Sequence, residues 1–309
     1  MFFKCKGSGG ANVTIDGVEV EDDLALSSGV MDNVSVSTLP YDFYYGCAVV
    51  FNNEIHIMGS DNSTYINKHY KYNGTSWTSV STLPYQFRQG SAVVHNDEIH
   101  IMGSSVTSYQ SSHYKFNGTS WTSVSNLPYN FYGSSAIVLD DEIHILGGPY
   151  INSSTNYYTK HYKYNGTNWT SVSTIKYPYK FNGASAVVYD GCIHLLGSSV
   201  SDAYGDYSYY HHKYDGTSWT SVSTLPYKFY RGGAVVHEDE IHIMGGGSNS
   251  TSDYKTSHYK YNGTSWTSVS TLPYQFYDGA TVVYKNTINI LGGTNDTTKH
   301  YEINKEYYY

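Results

Sequence analysis

Residues 69–80 read His-Tyr-Lys-Tyr-Asn-Gly-Thr-Ser-Trp-Thr-Ser-Val, and four near-copies of this stretch follow later in the chain. The Asn73-Gly74 pair tolerates positive φ at both central positions of a two-residue turn. Aromatic and polar residues alternate on both sides of this turn, as they do in antiparallel strands. The stretch therefore predicts a β-hairpin, and its recurrence predicts a repeat protein.

The tryptophan of this stretch gives the period of the repeat. Trp77, Trp121, Trp169, Trp219 and Trp266 are separated by 44, 48, 50 and 47 residues, and periods in this range are typical of propellers and solenoids. Each repeat also contains an earlier hairpin, as in Ala48-Val49-Val50, the turn Asn52-Asn53 and the strand that follows it. We therefore expect four antiparallel strands in each repeat.

The last repeat is incomplete, and the beginning of the chain supplies the missing strand. The first hairpin occurs six times, but the sixth repeat ends after Lys299 to Asn304 without a tryptophan strand. Residues 34–40 (VSVSTLP) match residues 78–84 (TSVSTLP) at all but the first position. The predicted fold is all-β, a six-bladed propeller of four-stranded antiparallel blades, closed by an N-terminal strand that completes the last blade.

The repeat resembles the kelch repeat from Asn33 to Asn304, because a glycine doublet is followed at set distances by tyrosine and tryptophan. The doublet is Gly147-Gly148, Gly245-Gly246 and Gly292-Gly293 in three repeats, and Gly59-Ser60, Gly103-Ser104 and Gly197-Ser198 in the others. The near-identity of the repeats and the Tyr-, Asn- and Ser-rich composition are also similar to kelch-like proteins encoded by bacteriophages and prophages. That resemblance implies a virion protein assembled in the host cytoplasm.

Composition argues against several classes of partner. Charged residues make up 14% of the chain and the net charge is -8, so the basic surface of a nucleic-acid-binding protein is not expected. No apolar run is long enough to insert into a membrane, and the first residues lack the apolar core of a secretory signal. The three cysteines show no pairing pattern, so we expect reduced thiols.

The chain divides into two predicted parts. Residues 33–309 form the propeller, and residues 1–32 form an N-terminal segment with a short hairpin candidate at residues 12–20. Such a hairpin is marginally stable alone. We expect the segment either to attach the propeller to structural proteins of a larger assembly or to pack on the propeller itself.

One face of the propeller is the predicted binding face. In a four-stranded antiparallel blade, the loop between strands two and three and the linker to the next blade emerge on the same side. The loops between strands two and three vary in length within a constant framework, as binding loops on a rigid scaffold do. They comprise residues 60–67, 104–111, 149–159, 198–209, 247–256 and 294–298.

Tyrosines and a few charged residues cluster in this part of the sequence, and tyrosine is favoured in adaptable binding surfaces. The alternative is that the linker tyrosines only wedge neighbouring blades apart; the linker phenylalanines are expected to be buried. The candidate ligand-binding residues of the channel mouth and linkers are Tyr41, Tyr44, Tyr45, Tyr85, Arg88, Tyr129, Tyr132, Tyr179, Tyr227, Tyr230, Arg231, Tyr274, Tyr277 and Asp278. Those of the variable loops are Tyr109, Tyr150, Tyr157, Tyr204 and Tyr207.

Histidines recur in strand two of five repeats and in strand three of all six. They are His56, His100, His144, His194 and His242, and His69, His113, His161, His212, His258 and His300. A residue found in every blade is set by the blade, and no repeated acidic partner completes a metal-ligand set. We therefore predict structural hydrogen bonds for these histidines, with metal binding or a pH response as alternatives, and no cofactor.

Catalytic arrangements are not visible. A copper oxidase of the galactose oxidase type would need a distinctive Tyr, His and Cys set, and glycoside cleavage would need two carboxylates facing one ligand. The predicted function is a non-enzymatic recognition module of a bacteriophage tail or other virion appendage, which binds a host surface carbohydrate or protein. The alternatives are an architectural virion protein, an intracellular adaptor that binds a peptide, and an enzyme.

Overall fold

Six four-stranded antiparallel sheets follow one another around a ring. The structure is a computed structural model. It describes residues 13–15, 18–20, 31–148, 150–152, 155–156, 159–172, 181–198, 201–202, 205–248 and 255–305.

Each blade is a meander of four strands in chain order. Blade 1 contains β4 (Cys47–Phe51), β5 (Glu54–Met58), β6 (His69–Tyr72) and β7 (Trp77–Ser79). Blade 2 contains β8 (Ser91–His95), β9 (Glu98–Met102), β10 (His113–Phe116) and β11 (Trp121–Ser123). Blade 3 contains β12 (Ser135–Leu139), β13 (Glu142–Leu146), β16 (His161–Tyr164) and β17 (Trp169–Ser171).

The other three blades repeat this order. Blade 4 contains β18 (Ser185–Tyr189), β19 (Cys192–Leu196), β22 (His211–Tyr214) and β23 (Trp219–Ser221). Blade 5 contains β24 (Gly233–His237), β25 (Glu240–Met244), β26 (His258–Tyr261) and β27 (Trp266–Ser268). Blade 6 contains β28 (Ala280–Tyr284), β29 (Thr287–Leu291), β30 (Lys299–Lys305) and β3 (Met31–Thr38).

Short elements lie outside the blades. They are the two-stranded sheets β1 (Val13–Ile15) with β2 (Val18–Val20), β14 (Tyr150–Asn152) with β15 (Thr155–Asn156), and β20 (Ser201–Asp202) with β21 (Gly205–Asp206), and the 3-10 turns Thr107–Tyr109 and Tyr207–Tyr209. Across the part of the chain that the structure describes, no helix has the length and hydropathy needed to cross a membrane.

Strand β3 closes the ring, as the sequence predicts. It pairs antiparallel with β30 from Met31 opposite Lys305 to Thr38 opposite Lys299, with an irregularity between Ser35 and Ser37. The first strand of every blade contacts the first strands of its two neighbours, including β28 with β4. The fold class predicted from the sequence is therefore confirmed.

The core lies between blades and is built around the linker phenylalanines. Phe87, for example, packs with Val49 of blade 1 and Ile99 of blade 2. A buried phenylalanine contributes about 1.5–3 kcal/mol relative to an exposed one, so the six rings are a large part of the force that holds the blades together. All six phenylalanines have no exposed surface: Phe43, Phe87, Phe131, Phe181, Phe229 and Phe276.

A buried histidine pair links strands two and three in five blades. In blade 2, Nδ1 of His100 and Nε2 of His113 are 2.8 Å apart, and the His113 ring also contacts Trp169 of the next blade. Burial lowers the pKa of His100 to about 4 and that of His113 to about 3, so both rings are neutral. In blade 6, Asn289 Oδ1 takes the place of the first histidine and lies 2.7 Å from Nε2 of His300.

Blade 4 corrects one residue of the predicted histidine set. The partner of His194 is His211, at 2.7 Å, and not His212. His211 lies opposite Leu196 in the ladder, whereas His212 lies opposite Leu195 and takes the place of Tyr162 of blade 3. The sequence reads His-His-Lys-Tyr here, and the first histidine, not the predicted second one, is the repeated residue.

The two forms of the glycine doublet differ in backbone conformation. The second glycines Gly148, Gly246 and Gly293 all have positive φ, which glycine adopts freely. Where serine replaces the second glycine, its hydroxyl bonds to the linker backbone, as Ser104 Oγ does to the Gln86 carbonyl at 2.8 Å. Blades with serine at this position thus use a side-chain hydrogen bond to the linker, whereas blades with glycine use a backbone conformation with positive φ.

Candidate functional site

The variable loops and the blade linkers share one face of the ring. In three blades a backbone N–H at the start of the loop donates to a linker carbonyl: Asp61 to Tyr44, Ser105 to Arg88, and Thr294 to Tyr277, at 2.8–3.1 Å. We call this side the loop face. The opposite face carries the hairpin turns between strands one and two and between strands three and four.

A closed ring of backbone hydrogen bonds surrounds the channel on the loop face. Six residues, one from each blade, each donate a backbone N–H to the carbonyl of the residue in the preceding blade, and five of the six N···O distances lie between 2.7 and 3.0 Å. Their φ angles all lie between 53° and 66°. We call this the mouth ring: Tyr45, Gln89, Gly133, Gly183, Arg231 and Asp278.

The mouth ring stores backbone strain, because four of its six residues are not glycine. A left-handed conformation costs such a residue about 1–2 kcal/mol, and outliers of this kind concentrate at functional sites. Ring backbone groups bond mainly to one another. A ligand at the mouth must therefore rely mainly on side chains.

Three side chains of the mouth ring form a connected cluster across blades 5, 6 and 1. Arg231 Nη1 lies 3.3 Å from both carboxylate oxygens of Asp278 and also donates to the Tyr45 hydroxyl. The guanidinium carbon lies 4.8 Å from the centre of the Tyr45 ring. Burial raises the pKa of Asp278 to about 6, although Arg231 and Tyr45 act in the opposite direction. The side chain of Asp278 is only 4% exposed, and that of Arg231 is 20% exposed.

A second arginine approaches the same tyrosine. Arg88 Nε forms an ion pair with Asp61 Oδ1 at 2.5 Å, and its guanidinium carbon lies 5.7 Å from the centre of the Tyr45 ring. Tyr45 is thus in reach of both arginines, and each arginine has its own carboxylate. Arg88 is not itself a mouth-ring residue, because it precedes the ring residue Gln89 and corresponds to Tyr44.

Two cavities lie along the channel axis. The smaller one, of about 120 Å³, is lined by the mouth-ring residues and their neighbours, including Ser134 and Gly279. The larger one, of about 510 Å³, is lined only by alanine, valine and one isoleucine from the first strands of the six blades. Polar side chains therefore line the mouth, and aliphatic side chains line the channel behind it.

The structure separates the predicted linker tyrosines into two groups. Tyr41, Tyr85 and Tyr129 are buried in the blade core, where each hydroxyl donates to the carbonyl of the first doublet glycine, as Tyr85 does to Gly103 at 3.1 Å. Tyr274 makes the same bond to Gly292 and is half-buried, as is Tyr227. These five rings pack in the clusters of the blade core.

The second group lies next to the mouth ring. Tyr44 and Tyr132 are half-buried, whereas Tyr230 and Tyr277 are buried and contact each other with ring centres 5.9 Å apart. In the variable loops, Tyr109 lies with its ring 5.4 Å from that of Tyr85. Tyr150 and Tyr207 are described by their backbone only, and Tyr157, Tyr179 and Tyr204 lie outside the described residues.

Sequence reasoning missed the features that hold the mouth together. It gave Tyr45, Arg231 and Asp278 as candidate residues of the channel mouth, but it did not reveal the backbone ring or the ion pair between Arg88 and Asp61. One signal was available in the sequence: in every blade, the mouth-ring residue lies two positions after the linker phenylalanine. Among the residues that the structure describes, no group of three or more His, Cys, Asp or Glu side chains could hold a metal ion.

These features define a six-bladed β-propeller with a loop face that surrounds a narrowed polar channel mouth. No known protein family matches the chain, and no curated protein matches it. Solved structures do match: 397 chains resemble this fold. The structure of YjhT, a kelch-type propeller, aligns with a TM-score of 0.71 at 15% identity, covering 86% of this chain and 94% of YjhT. At this identity the likeness shows the fold alone.

Proposed function

We propose that this propeller is a non-enzymatic recognition module that binds a host surface carbohydrate or protein through its loop face. The proposal rests on one observation: the blades differ from one another mainly on the loop face. The turns of the opposite face keep the same length in every blade, and the second turn is always Asn-Gly or Asp-Gly, whereas the loop face differs between blades in loop length and in mouth-ring side chains. A rigid frame with one varied face is the usual design of a binding scaffold.

The blades with the longest loops add structure to this face. Blades 3 and 4 carry the extra hairpins formed by β14 with β15 and by β20 with β21. The mouth ring is asymmetric in the same blades, because Gly133 and Gly183 lie there. An asymmetric surface suits a ligand that lacks sixfold symmetry.

The setting we propose is a bacteriophage tail or another virion appendage, and the direction of the chain supports it. Strand β3 starts with Met31 opposite Lys305 and ends with Thr38 opposite Lys299, next to the loop-face bond from Leu39 N–H to the Thr298 carbonyl. The beginning of β3 and the end of β30 therefore both lie away from the loop face. A carrier joined through residues 1–32 would leave that face free, and several copies on one particle would turn weak single-site binding into avidity.

A binding role also fits the pairing of the charged groups at the mouth. Arg231 is paired with Asp278, and Arg88 is paired with Asp61. A catalytic acid or base has to lie within hydrogen-bond reach of the proton that it transfers. The carboxylates of Asp278 and Asp61 instead form ion pairs with arginines. We therefore propose recognition and not catalysis.

Binding of the purified chain to bacterial cells and to an array of bacterial surface glycans tests the proposal. The chain is displayed multivalently on beads. In the test variant, residues 149–159 are replaced by residues 105–111 of blade 2, and residues 198–209 are replaced by residues 104–111. The control variant replaces residues 215–218 on the opposite face of blade 4 with residues 165–168 of blade 3. Binding that is lost in the test variant and kept in the control supports the proposal; no binding by the multivalent wild type refutes it and favours an architectural role.

A further inference from the structure

The mouth ring has a polar half and a bare half. Tyr45, Gln89, Arg231 and Asp278 present side chains from blades 5, 6, 1 and 2, whereas blades 3 and 4 contribute glycines. At Gly183 only glycine fits, because the Tyr230 ring occupies the space of a Cβ, with its Cε2 2.0 Å away. At Gly133 a Cβ would meet the Asn182 side chain, with the amide nitrogen at 3.2 Å. The cavity at the mouth is therefore bounded by glycine backbone on one side and by hydrogen-bonding side chains on the other.

Hydrogen-bonding capacity is left over on the polar wall. Arg231 has five N–H donors, and its bonds to Asp278 and Tyr45 use only Nη1. Within the described part of the chain, the Gln89 carboxamide makes no side-chain hydrogen bond. Planar guanidinium and amide groups can each bond two neighbouring oxygens at once. Adjacent hydroxyl groups on a sugar ring offer such a pair of oxygens, and the CH groups of the ring can pack against Tyr45.

The charge of the mouth favours an uncharged ligand. Both arginines near Tyr45 are neutralised by carboxylates, Arg231 by Asp278 at 3.3 Å and Arg88 by Asp61 at 2.5 Å. An anionic ligand would have to compete with these carboxylates for the same guanidinium groups, and a cation would meet two arginines. A ligand that brings hydroxyl groups and no charge leaves both ion pairs intact and avoids burying an unpaired charge.

The size of the recess limits what can enter. Its volume is about 120 Å³, well below the roughly 300–1,000 Å³ typical of pockets for drug-sized ligands. A recess of this size suits part of a single small ring at the end of a longer molecule. It does not suit a folded peptide segment with several anchoring side chains.

We propose that the mouth ring is a subsite for one uncharged terminal sugar unit, which lies in the cavity beside Gly133 and is bound by Arg231 and Gln89 through its hydroxyl oxygens. This inference rests on the proposed recognition function and narrows its ligand to a carbohydrate. Asp278 is a positioning residue, since it orients Arg231 and holds its charge neutral.

Saturation-transfer NMR with free monosaccharides tests the subsite without cells. The probes are neutral hexoses, N-acetylhexosamines and 6-deoxyhexoses, with glucuronic acid as the charged comparison. The test variant is Gly133→Gln, which fills the recess with the residue that blade 2 carries at Gln89 with φ 53°. The matched control is Gly191→Asn on the opposite face, where φ is 68° and blade 1 carries Asn53. A second test variant, Gln89→Ala, removes one predicted contact. Thermal unfolding shows that each variant is folded.

We expect at least one neutral sugar to bind the wild type with a Kd of about 1 mM, the strength usual for a ligand of this size. Gly133→Gln should weaken binding about tenfold or more, Gln89→Ala several-fold, and Gly191→Asn by less than about twofold. Three results would overturn the subsite: no neutral sugar bound at about 50 mM, far above the expected Kd; equal binding by Gly133→Gln; or tighter binding of glucuronic acid. Cell binding without sugar binding would keep the recognition function and refute the subsite. Sugar binding without cell binding would support the subsite and refute recognition of a host surface.

Discussion

Replacing the first glycine of the doublet with alanine should force two blades apart. In blade 4, a Cβ on Gly197 would lie 1.7 Å from the backbone carbonyl oxygen of Phe229, whose side chain is fully buried in the linker to blade 5. The oxygen belongs to the backbone and cannot rotate away. The equivalent Cβ would meet the next phenylalanine carbonyl at 1.8–2.3 Å in the other five blades, so this contact is a general feature of the blade interfaces.

Gly191 supplies a matched control in the same blade. Its φ is +68°, against +67° for Gly197, and a Cβ there would meet nothing within 4 Å. Both substitutions therefore cost about 1–2 kcal/mol for an alanine in the left-handed region. Only Gly197→Ala adds the cost of overpacking, about 1–3 kcal/mol. We expect the two variants to differ by about 2 kcal/mol in the free energy of unfolding.

Thermal unfolding measured by circular dichroism checks the difference. A chain of this size loses about 2 °C of Tm per kcal/mol. Gly197→Ala should therefore unfold about 4 °C or more below Gly191→Ala, which should itself lie a few degrees below the wild type. Equal Tm values for the two variants would show that the blades can move apart at little cost. That result would contradict a tight contact between the doublet glycine and the next linker.

Three further predictions follow from the core and the ring closure. Burial lowers the pKa of His100 to about 4 and that of His113 to about 3. The stability that these neutral rings contribute is therefore present above pH 6.5 and is lost as the pH falls towards 3. Acid unfolding should take up several protons, and each proton changes the free energy of unfolding by about 1.4 kcal/mol per pH unit. His100→Asn, which copies the Asn289–His300 bond of blade 6, should lower the proton uptake measured by acid titration without loss of stability at pH 8; a large loss there would show that the two bonds are not equivalent. Tyr85→Phe should cost about 1 kcal/mol in urea unfolding, because it removes the hydroxyl bond to the buried Gly103 carbonyl, and an unchanged midpoint would mean that this bond contributes nothing. Deletion of residues 1–38 should expose the free edge of β30 and cause aggregation or a much lower Tm, whereas a monomer with unchanged Tm would contradict closure by β3.

The blades could be predicted from the sequence because their signals are local. Turn pairs such as Asn73-Gly74 mark the hairpins. The repeat spacing and the strand at residues 34–40 then fix the number of blades and the closure. The burial of the linker phenylalanines also follows, since an apolar residue recurring at one position in every blade has to be in the core.

The mouth could not be predicted because its contacts join residues of different blades. Tyrosine, glutamine and arginine do not favour positive φ, so the residue types at Tyr45, Gln89 and Arg231 do not predict a ring of left-handed residues. Blades 5 and 6 show the same effect in the core. A Cβ on Gly233 would lie 2.2 Å from Cγ2 of Thr281, so a threonine of one blade fills the space left by the glycine of the other. Such exchanges are invisible when each repeat is read alone.

Blocking one face at a time tests most directly whether the loop face is the binding face. Cys5→Ser, Cys47→Ser and Cys192→Glu remove the native thiols, and the last two copy residues of other blades. A single cysteine is then placed at the exposed Thr107 on the loop face or at the exposed Thr119 on the opposite face, and a polyethylene glycol chain is attached. We predict that binding to host cells is lost with the polymer at residue 107 and kept with the polymer at residue 119. Loss only at residue 119 would contradict the account.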